Sequence, residues 1–250
     1  MNTLSVILIT KNEASNICSC LESVAWADEL IVVDSGSTDG TVAIARAMGA
    51  KVFEHDWPGF GMQKNRALSY VSMDWVLSVD ADERVSMELR AEILSVLKEP
   101  KTDGYFIPRL SQFCGTFIHH CGWYPDYVLR LFRRDKGRFS DSLVHESVQL
   151  DGRSEKLTSD LLHYSYIDDA DVDRKVEHYS NAAARQMFLA GKRSGLPRAF
   201  LSAVWAFLRT YVIRMGVLDG LAGWHISKMN AHTTWLKYSK LHALHSGKNH

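Results

Sequence analysis

The sequence predicts an α/β fold in which a mostly parallel sheet is followed by a C-terminal helical extension. Short apolar runs typical of buried strands alternate with segments of helical periodicity and length. Such alternation indicates βαβ units, whose strands pair in parallel. After residue 168 the pattern is helical to the end. The apolar runs are residues 4–9, 30–33, 51–53 and 75–79, and the helical segments between them are residues 13–24, 38–48 and 62–71.

Composition places the chain among ordinary globular proteins. Of its 250 residues, 46% are hydrophobic and 23% are charged, which excludes disordered, collagen-like and low-complexity chains. Four cysteines do not make a disulfide framework at this length. The N-terminus lacks the features of a signal peptide, and no run reaches the roughly 20 apolar residues that cross a bilayer. We therefore expect a cytoplasmic protein that is soluble or bound peripherally to a membrane.

Charge is distributed unevenly along the chain. Lys plus Arg and Asp plus Glu both total 29, yet residues 181–250 contain ten of the basic residues and a single acid, Asp219. This tail therefore carries a formal charge of +9 and the part before it −9. Such asymmetry favours a surface with its own partner, either nucleic acid or an anionic membrane.

One segment of the tail predicts an amphipathic helix with a basic face. Arg198, Ser202 and Arg209 share that face, since eleven residues at 100° each return to within about 20°. The absence of a nucleic-acid motif and the interleaved aromatic residues favour a membrane interface over nucleic acid. Packing of these helices on the sheet or on a second subunit is an open alternative. The opposite side of the helix carries Phe200, Val204, Phe207 and Tyr211.

Two carboxylates follow the fourth predicted strand. Asp80 and Asp82 are two residues apart, so that both side chains can point the same way from a strand end. Hard oxygen ligands of this kind suit Mg²⁺ or Mn²⁺, which also hold a substrate diphosphate. Solvated acids in a turn are the alternative. A phosphatase of the D-x-D-x-T type is disfavoured, because Arg84 stands where that motif has Thr or Val.

Four motifs follow one another in the first hundred residues. They are Ile-Thr-Lys-Asn-Glu at 9–13, Val-Val-Asp-Ser-Gly-Ser-Thr-Asp-Gly-Thr at 32–41, Gly-Met-Gln-Lys-Asn-Arg-Ala at 61–67 and Val-Asp-Ala-Asp-Glu at 79–83. Motifs for dinucleotide cofactors and for P-loops are absent from the sequence. The four motifs resemble, in order, the nucleotide-sugar motifs of family 2 inverting glycosyltransferases, which have the Rossmann-like GT-A fold.

Further motifs lie later in the chain, at residues 123–126, 130–133, 144–146 and 216–223. They resemble a narrower branch, the lipopolysaccharide inner-core β-1,4-glucosyltransferases. The resemblance implies a GT-A domain over residues 1–165, with a nucleotide-sugar half at 1–100 and an acceptor half at 101–165. Residues 166–250 would then be the basic, amphipathic helical extension.

For the nucleoside, the resemblance implies contacts from four residues. Thr10 and Glu13 match positions at the edge of the uridine pocket, where a carboxylate can accept from ribose hydroxyls. Asp34 begins the acidic motif that contacts uracil, and a carboxylate accepts well from the ring N–H. Many relatives carry a second Asp where Ser35 stands, so either Asp34 or Ser35 makes the contact with the base.

For the diphosphate and its metal, the resemblance implies four further residues. Lys64 would neutralise the diphosphate, and Asn65 would lie in the same pocket. Asp82 would be the main ligand of Mg²⁺ or Mn²⁺. Asp80 would contact the ribose or a water molecule bound to the metal.

An inverting transfer requires one general base on the face of the sugar opposite the departing diphosphate. The best match to the family's base is Glu146, with Asp126 as the second candidate. His145 would orient Glu146 or the acceptor, although a structural role is an equal alternative. These assignments are implied by the motifs at residues 123–126 and 144–146.

Three other residues are implied to contact the acceptor or the diphosphate. Arg130 and Arg133 would bind phosphate through their guanidinium groups, and Trp123 would form a wall on which a sugar stacks. Core packing is the alternative for Trp123.

Together, the motifs predict an enzyme that moves a hexose, glucose by resemblance, from a UDP-sugar to an inner-core heptose of lipopolysaccharide. The acceptor would be lipid-linked, and the protein would lie on the cytoplasmic face of the inner membrane without binding nucleic acid. Two alternatives are open. One is a transferase for another glycan or for a polyprenyl-phosphate acceptor, and the other is a non-catalytic nucleotide-sugar-binding protein on the same fold.

Overall fold

Four parallel strands lie side by side in the computed structural model, which describes residues 2–140 and 147–246. They are β1 (Leu4–Thr10), β2 (Glu29–Asp34), β3 (Lys51–Glu54) and β4 (Trp75–Ser78), in the spatial order β3-β2-β1-β4. The helices between them are α1 (Ile17–Val24), α2 (Thr41–Ala47) and α3 (Phe60–Ser69). Each predicted strand and helix is confirmed, although α1 begins four residues later than its pattern predicts, because residues 11–16 form the loop after β1.

Beyond β4, the sheet continues through antiparallel pairing. The later elements are β5 (Glu83–Val85), α4 (Met87–Lys98), β6 (Gly104–Phe113), β7 (Thr116–Phe117), β8 (Asp126–Arg133), β9 (Gly137–Phe139), β10 (Val148–Leu150), β11 (Ser154–Lys156) and β12 (Leu161–Tyr166). The order of the sheet is β3-β2-β1-β4-β8-β6-β12-β5, with β7 and β11 also paired to β6, and β9 pairs with β10 separately. Because β8 runs antiparallel beside β4, its earlier residues lie near the carboxyl end of β4.

The apolar runs of β1 and β2 form the centre of the core. Val6 and Leu8 pack on one face of the sheet against α1, which presents Leu21 to them. Ile7 points to the other face and packs with Ala67 of α3. Because side chains alternate along a strand, a run that is apolar throughout is buried on both faces. The polar residues at the ends of these strands are thereby held at one edge of the sheet.

Among the described residues, the chain after residue 168 is mainly helical, as predicted. They are α5 (Asp169–Leu189), α6 (Leu196–Leu208) and α7 (Gly220–His245), with a π-helical segment at Arg209–Ile213 and a 3-10 segment at Gly216–Asp219. Within the described residues, no single helix is long and apolar enough to cross a membrane. The pair Leu196–Ile213 and Gly216–His245, bent by 73°, has that length and composition when taken together.

The described residues divide into two compact units. The first lies within Met1–Arg109 and Asp126–His163, and the second lies within Leu110–Pro125 and Tyr164–His250. Compactness does not establish which segments fold independently, so the division after residue 165 stays a prediction. The candidate site described below belongs to the first unit.

Candidate active site

The loops at the carboxyl ends of β1 and β2 are organised around one buried carboxylate. Thr10 and Asp34 are register partners at the ends of these strands, and the Thr10 hydroxyl donates to Asp34 Oδ2 at 2.8 Å. Asp34 Oδ1 accepts from the backbone N–H groups of Gly36 and Ser37 at 2.9 and 2.7 Å. The Ser37 hydroxyl donates to Oδ2 at 2.5 Å. Four donors therefore hold Asp34, which shapes the loop after β2.

Ser35, the other predicted contact with the base, lies in the same loop. It is buried, as Asp34 is, and its hydroxyl accepts from Gln63 Nε2 at 2.9 Å. A hydroxyl in this position can still donate its own proton, whereas a carboxylate only accepts. Which of the two residues contacts the base stays a prediction.

A cavity of about 300 Å³ lies beside the end of β1. The predicted pocket residues Thr10 and Glu13 both line it, together with Trp57 and Phe60. These two rings meet edge to face, with centroids 4.8 Å apart. Burial raises the pKa of the Glu13 carboxyl, although a hydrogen bond from Asn16 lowers it. The sequence did not predict a role for the two aromatic residues. Their position after the end of β3, where the chain leads into α3, is the feature that could have indicated one.

A second cavity, of about 490 Å³, is lined by Lys64, Asp80, Arg109 and Arg130 among others. Arg130 Nη2 donates to Asp80 Oδ2 at 2.5 Å, and Lys64 Nζ lies 3.0 Å from Asp80 Oδ1. Burial alone would raise the pKa of Asp80, but Arg130 and Lys64 hold it well below its usual range. Two predicted phosphate-binding cations thus flank one carboxylate at the carboxyl end of β4.

Glu83, which sequence analysis did not single out, is fully buried beside Arg130. Its Oε1 accepts from Arg130 Nη2 at 2.7 Å and lies 3.6 Å from Arg109 Nη1. Burial raises the pKa of Glu83, although the charge of Arg130 lowers it. Arg109 in turn donates to Asp126 Oδ2 through Nε and Nη2 at 3.0 and 2.6 Å. Acids and cations therefore alternate through a charged cluster that consists of Lys64, Asp80, Arg130, Glu83, Arg109 and Asp126.

Asp82 lies next to a histidine that the sequence did not reveal. Its Oδ2 is 3.2 Å from His163 Nε2, and its side chain is 37% exposed. Within the described residues, no group of three or more His, Cys, Asp or Glu side chains could hold a metal ion. The carboxylate nevertheless fits Mg²⁺ or Mn²⁺, because such ions complete their coordination with water and substrate phosphates, and the adjacent imidazole is a common ligand of divalent metals. Asp82 and His163 are therefore the protein groups that fit the predicted metal.

Two predicted site residues are engaged elsewhere in the first unit. The Asn65 amide group donates to the carbonyl oxygen of Phe139 and accepts from its N–H, both at 2.9 Å. Arg133 Nε lies 3.7 Å from Asp103, and its guanidinium stacks over Trp75, 5.2 Å from the ring centroid. Trp75 begins β4, so Arg133 lies at the end of that strand opposite to Asp80. The structure therefore brings neither side chain into the charged cluster.

The remaining three predicted residues lie either outside this site or outside the described residues. Trp123 belongs to the second unit, where it packs against Phe113 and Tyr166 with ring centroids 6.1 and 5.5 Å away. That packing matches the core alternative for this tryptophan. The candidate base Glu146 and its neighbour His145 lie outside the described residues.

Residues 5–145 match the family model described as Glycosyl transferase family 2. The chain belongs to this family. The match covers more than half of the chain and contains all four nucleotide-sugar motifs, so that the resemblance found in the sequence is confirmed. The protein is thus a family 2 glycosyltransferase.

Relatives that match nearly the whole chain support this membership. The lipopolysaccharide core biosynthesis glycosyltransferase LpsC of Rhizobium meliloti is 32% identical over 98% of this chain and 94% of its own length. An uncharacterized glycosyltransferase of Rickettsia felis is 32% identical over 96% of this chain and 90% of its own. A crystal structure of S. aureus TarS, residues 1–349, is 18% identical over 98% of this chain and 92% of that chain, with a TM-score of 0.50, and supports the fold alone.

Proposed function

We propose that this family 2 glycosyltransferase moves glucose from UDP-glucose to a heptose of a lipopolysaccharide core. One observation carries the donor half of the proposal. Arg130 lines the second cavity, and its buried Nε has no hydrogen-bond partner among the described residues. Beside it, Lys64 adds a second cation. A guanidinium group beside a cavity and a neighbouring ammonium group are well suited to bind diphosphate oxygens.

The first cavity supports a nucleoside as the other part of the donor. Trp57 and Phe60 offer apolar ring surface on which a base can stack. The Glu13 carboxylate can accept from ribose hydroxyls, and Ser35 or Asp34 would contact the uracil ring. The choice of uracil rests on the family motif that begins at Asp34.

Asp82 and His163 would hold Mg²⁺ or Mn²⁺, with Asp80 near the same site. When bound, such an ion would supply positive charge that stabilises the departing diphosphate. Asp80 is engaged by Lys64 and Arg130, so its role would be to fix these two cations while they bind the donor.

The transfer needs one proton acceptor. The acceptor hydroxyl oxygen would bond to the anomeric carbon as the bond from that carbon to the diphosphate oxygen breaks, and UDP would leave with the electron pair. Glu146 would take the hydroxyl proton. Attack from the face opposite the departing diphosphate would turn an α-linked donor into a β-glycoside. Ser147, the next residue, lines the second cavity. Asp126, the second candidate, is held in its ion pair by Arg109.

The lipopolysaccharide acceptor is supported by similarity to LpsC over almost the full length of both chains. The acceptor is tested by activity. Transfer from UDP-glucose to a heptose-terminated core saccharide should be lost in Glu146→Gln by about 10²–10⁴-fold, as expected for a general base. Glu155→Gln, which changes an exposed acid on β11, should retain activity. Equal activity in both variants would contradict the assignment of Glu146.

Donor binding is tested separately by thermal stabilisation with UDP-, GDP-, ADP- and CMP-sugars, each with and without Mn²⁺. A ligand at about a hundred times its Kd adds about 2.7 kcal/mol to the free energy of unfolding. We expect UDP-sugars alone to stabilise the wild type, and Asp82→Ala to abolish the part that depends on Mn²⁺. Asp151→Ala removes an exposed carboxylate and should behave as the wild type does. Stabilisation by another nucleotide sugar would contradict the proposed donor.

A further inference from the structure

Exposed large apolar side chains are concentrated in the helical part of the second unit. We use the name apolar cap for those between residues 200 and 224. Among them, Leu201, Trp205, Leu218 and Leu221 are 67, 57, 60 and 79% exposed. Single apolar residues are ordinary on a protein surface, whereas a large group of them marks an interaction site.

The cap surrounds the reversal of the chain between α6 and α7. The rings of Phe207 and Tyr211, on the first arm, lie 5.1 and 5.5 Å from Trp224 on the second. Exposed chain reversals normally carry polar and turn-forming residues. This reversal instead carries Val217 and Leu218, which are 48 and 60% exposed. An apolar surface in this position is unusual for a segment that faces water.

Close packing holds the reversal in place. A Cβ atom at Gly223 would collide with the carbonyl oxygen of Gly216, and one at Gly216 would lie 2.8 Å from the carbonyl oxygen of Thr210. Asp219 accepts from the backbone N–H of His120 at 2.9 Å, and the His120 ring contacts Asp219 at the same distance. The apolar side chains therefore project from a fixed turn.

Charge complementarity identifies the partner. Asp219 is the only acid after residue 180, and its side chain is 5% exposed in its pair with His120. The cap therefore presents no exposed carboxylate, while Arg209 and Arg214 are exposed at the reversal. Apolar groups and indole rings bordered by arginine match the acyl chains, interface and anionic headgroups of a lipid membrane.

The same features argue against the other occupants of such a surface. Two copies joined through their caps would bring the arginines of both chains together, which is repulsive in an interface. The helix pair is bent by 73°, whereas a spanning helix needs about 20 consecutive apolar residues. We propose that the apolar cap inserts into one leaflet of an anionic membrane, at the boundary between headgroups and acyl chains. This inference does not depend on the donor or acceptor of the transfer reaction.

Cosedimentation of the full chain with phosphatidylcholine vesicles, with and without phosphatidylglycerol, tests the proposal. Leu218→Ser together with Leu221→Ser should lower the partition coefficient at least about tenfold, because two large apolar groups leave the interface. Leu189→Ser with Leu244→Ser is the matched control, since these leucines are 78 and 39% exposed outside the cap. Arg209→Gln with Arg214→Gln should weaken binding to the anionic vesicles by about fivefold per arginine. Unchanged thermal midpoints would show that the variants are folded.

Three results would overturn the inference. The wild type could fail to bind either vesicle, or the cap variant could bind as well as the control variant. Light scattering could instead show a wild-type dimer that the cap variant makes monomeric, which would assign the cap to a second copy. The vesicles contain no saccharide acceptor, so a chain that binds them but transfers no sugar would contradict the proposed function alone.

Discussion

Arg130 Nη2 lies 2.5 Å from Asp80 and 2.7 Å from Glu83, so one nitrogen joins the two carboxylates. Arg130 and Glu83 are buried. Two acids this close would repel each other without the cation between them. The ion pairs therefore hold the Arg130 guanidinium at the end of β4, beside the second cavity.

Replacing Arg130 should destabilise the fold as well as the site. Arg130→Met removes the cation that joins Asp80 and Glu83, although Lys64 and Arg109 stay beside them, and breaking a buried pair in this way costs about 3–5 kcal/mol. The measurement is the free energy of unfolding in urea. Arg46→Met is the control, because Arg46 pairs with Glu54 on the surface, where such a pair contributes about 0–1 kcal/mol. Equal losses in the two variants would show that the cluster does not depend on Arg130.

Glu29 should make stability depend on pH in acid. It is buried beneath Lys51 and accepts from Ser5, Ser72 and Lys51 at 2.5–3.0 Å. Burial alone raises the pKa, but these hydrogen bonds hold it at about 2, below the usual 4.5. A depressed folded pKa stabilises the protein above the unfolded pKa. This contribution, about 3 kcal/mol, should therefore be lost as the pH falls from about 4.5 to about 2.

Urea unfolding of the wild type and of Glu29→Gln across this pH range measures the contribution of Glu29. The variant should be less stable at neutral pH, and its stability should change less between pH 5 and pH 2 than that of the wild type. Glu88→Gln, at an exposed position in the first turn of α4, is the control and should retain the wild-type slope. A wild-type slope in Glu29→Gln would contradict the prediction.

Asn65 should affect stability more than donor binding. Both ends of its amide group are engaged by the backbone of Phe139, so Asn65→Ala should cost about 1–3 kcal/mol through two unpaired groups. The Kd for UDP, measured by calorimetry on the folded variant, should change less than about threefold, because the backbone of Phe139 already engages the Asn65 amide group. Loss of a neutral hydrogen bond to the ligand typically raises the Kd by more than that. A large loss of affinity without loss of stability would contradict this expectation and would support the predicted role of Asn65 in the nucleotide pocket.

The sequence predicts the centre of this site because parallel strands end at one edge of the sheet. Thr10, Asp34 and Asp80 each stand at or just after a buried apolar run, and the structure brings Thr10 to within hydrogen-bonding distance of Asp34. The position of a residue at or just after the end of a parallel strand can therefore be predicted from the sequence. The resemblance to the family motifs then implies a chemical role for each of these residues.

Residues on the later strands could not be predicted in this way. Arg109 and His163 reach the site because β6 pairs antiparallel with β8 and β12 pairs antiparallel with β5. The periodicity of a single strand does not show which strand it pairs with. Arg130 and Arg133 look equivalent in the sequence. They are three residues apart on β8, which places them on opposite faces and about 10 Å apart along the strand. Only Arg130 therefore lies at the carboxyl end of β4.

Metal dependence should require both Asp82 and His163. Their side-chain atoms lie 3.2 Å apart, and in that position each would supply one ligand. Asp82→Ala and His163→Ala should each weaken Mn²⁺ binding in the presence of UDP by about 10–100-fold or more, measured by calorimetry. His55→Ala is the control, because His55 contacts Tyr70 instead. If His163→Ala loses metal affinity and Asp82→Ala does not, the carboxylate would have to come from another residue, and the role of Asp82 would be limited to its contact with the histidine. The two variants together therefore distinguish a joint metal site from a histidine held by a carboxylate.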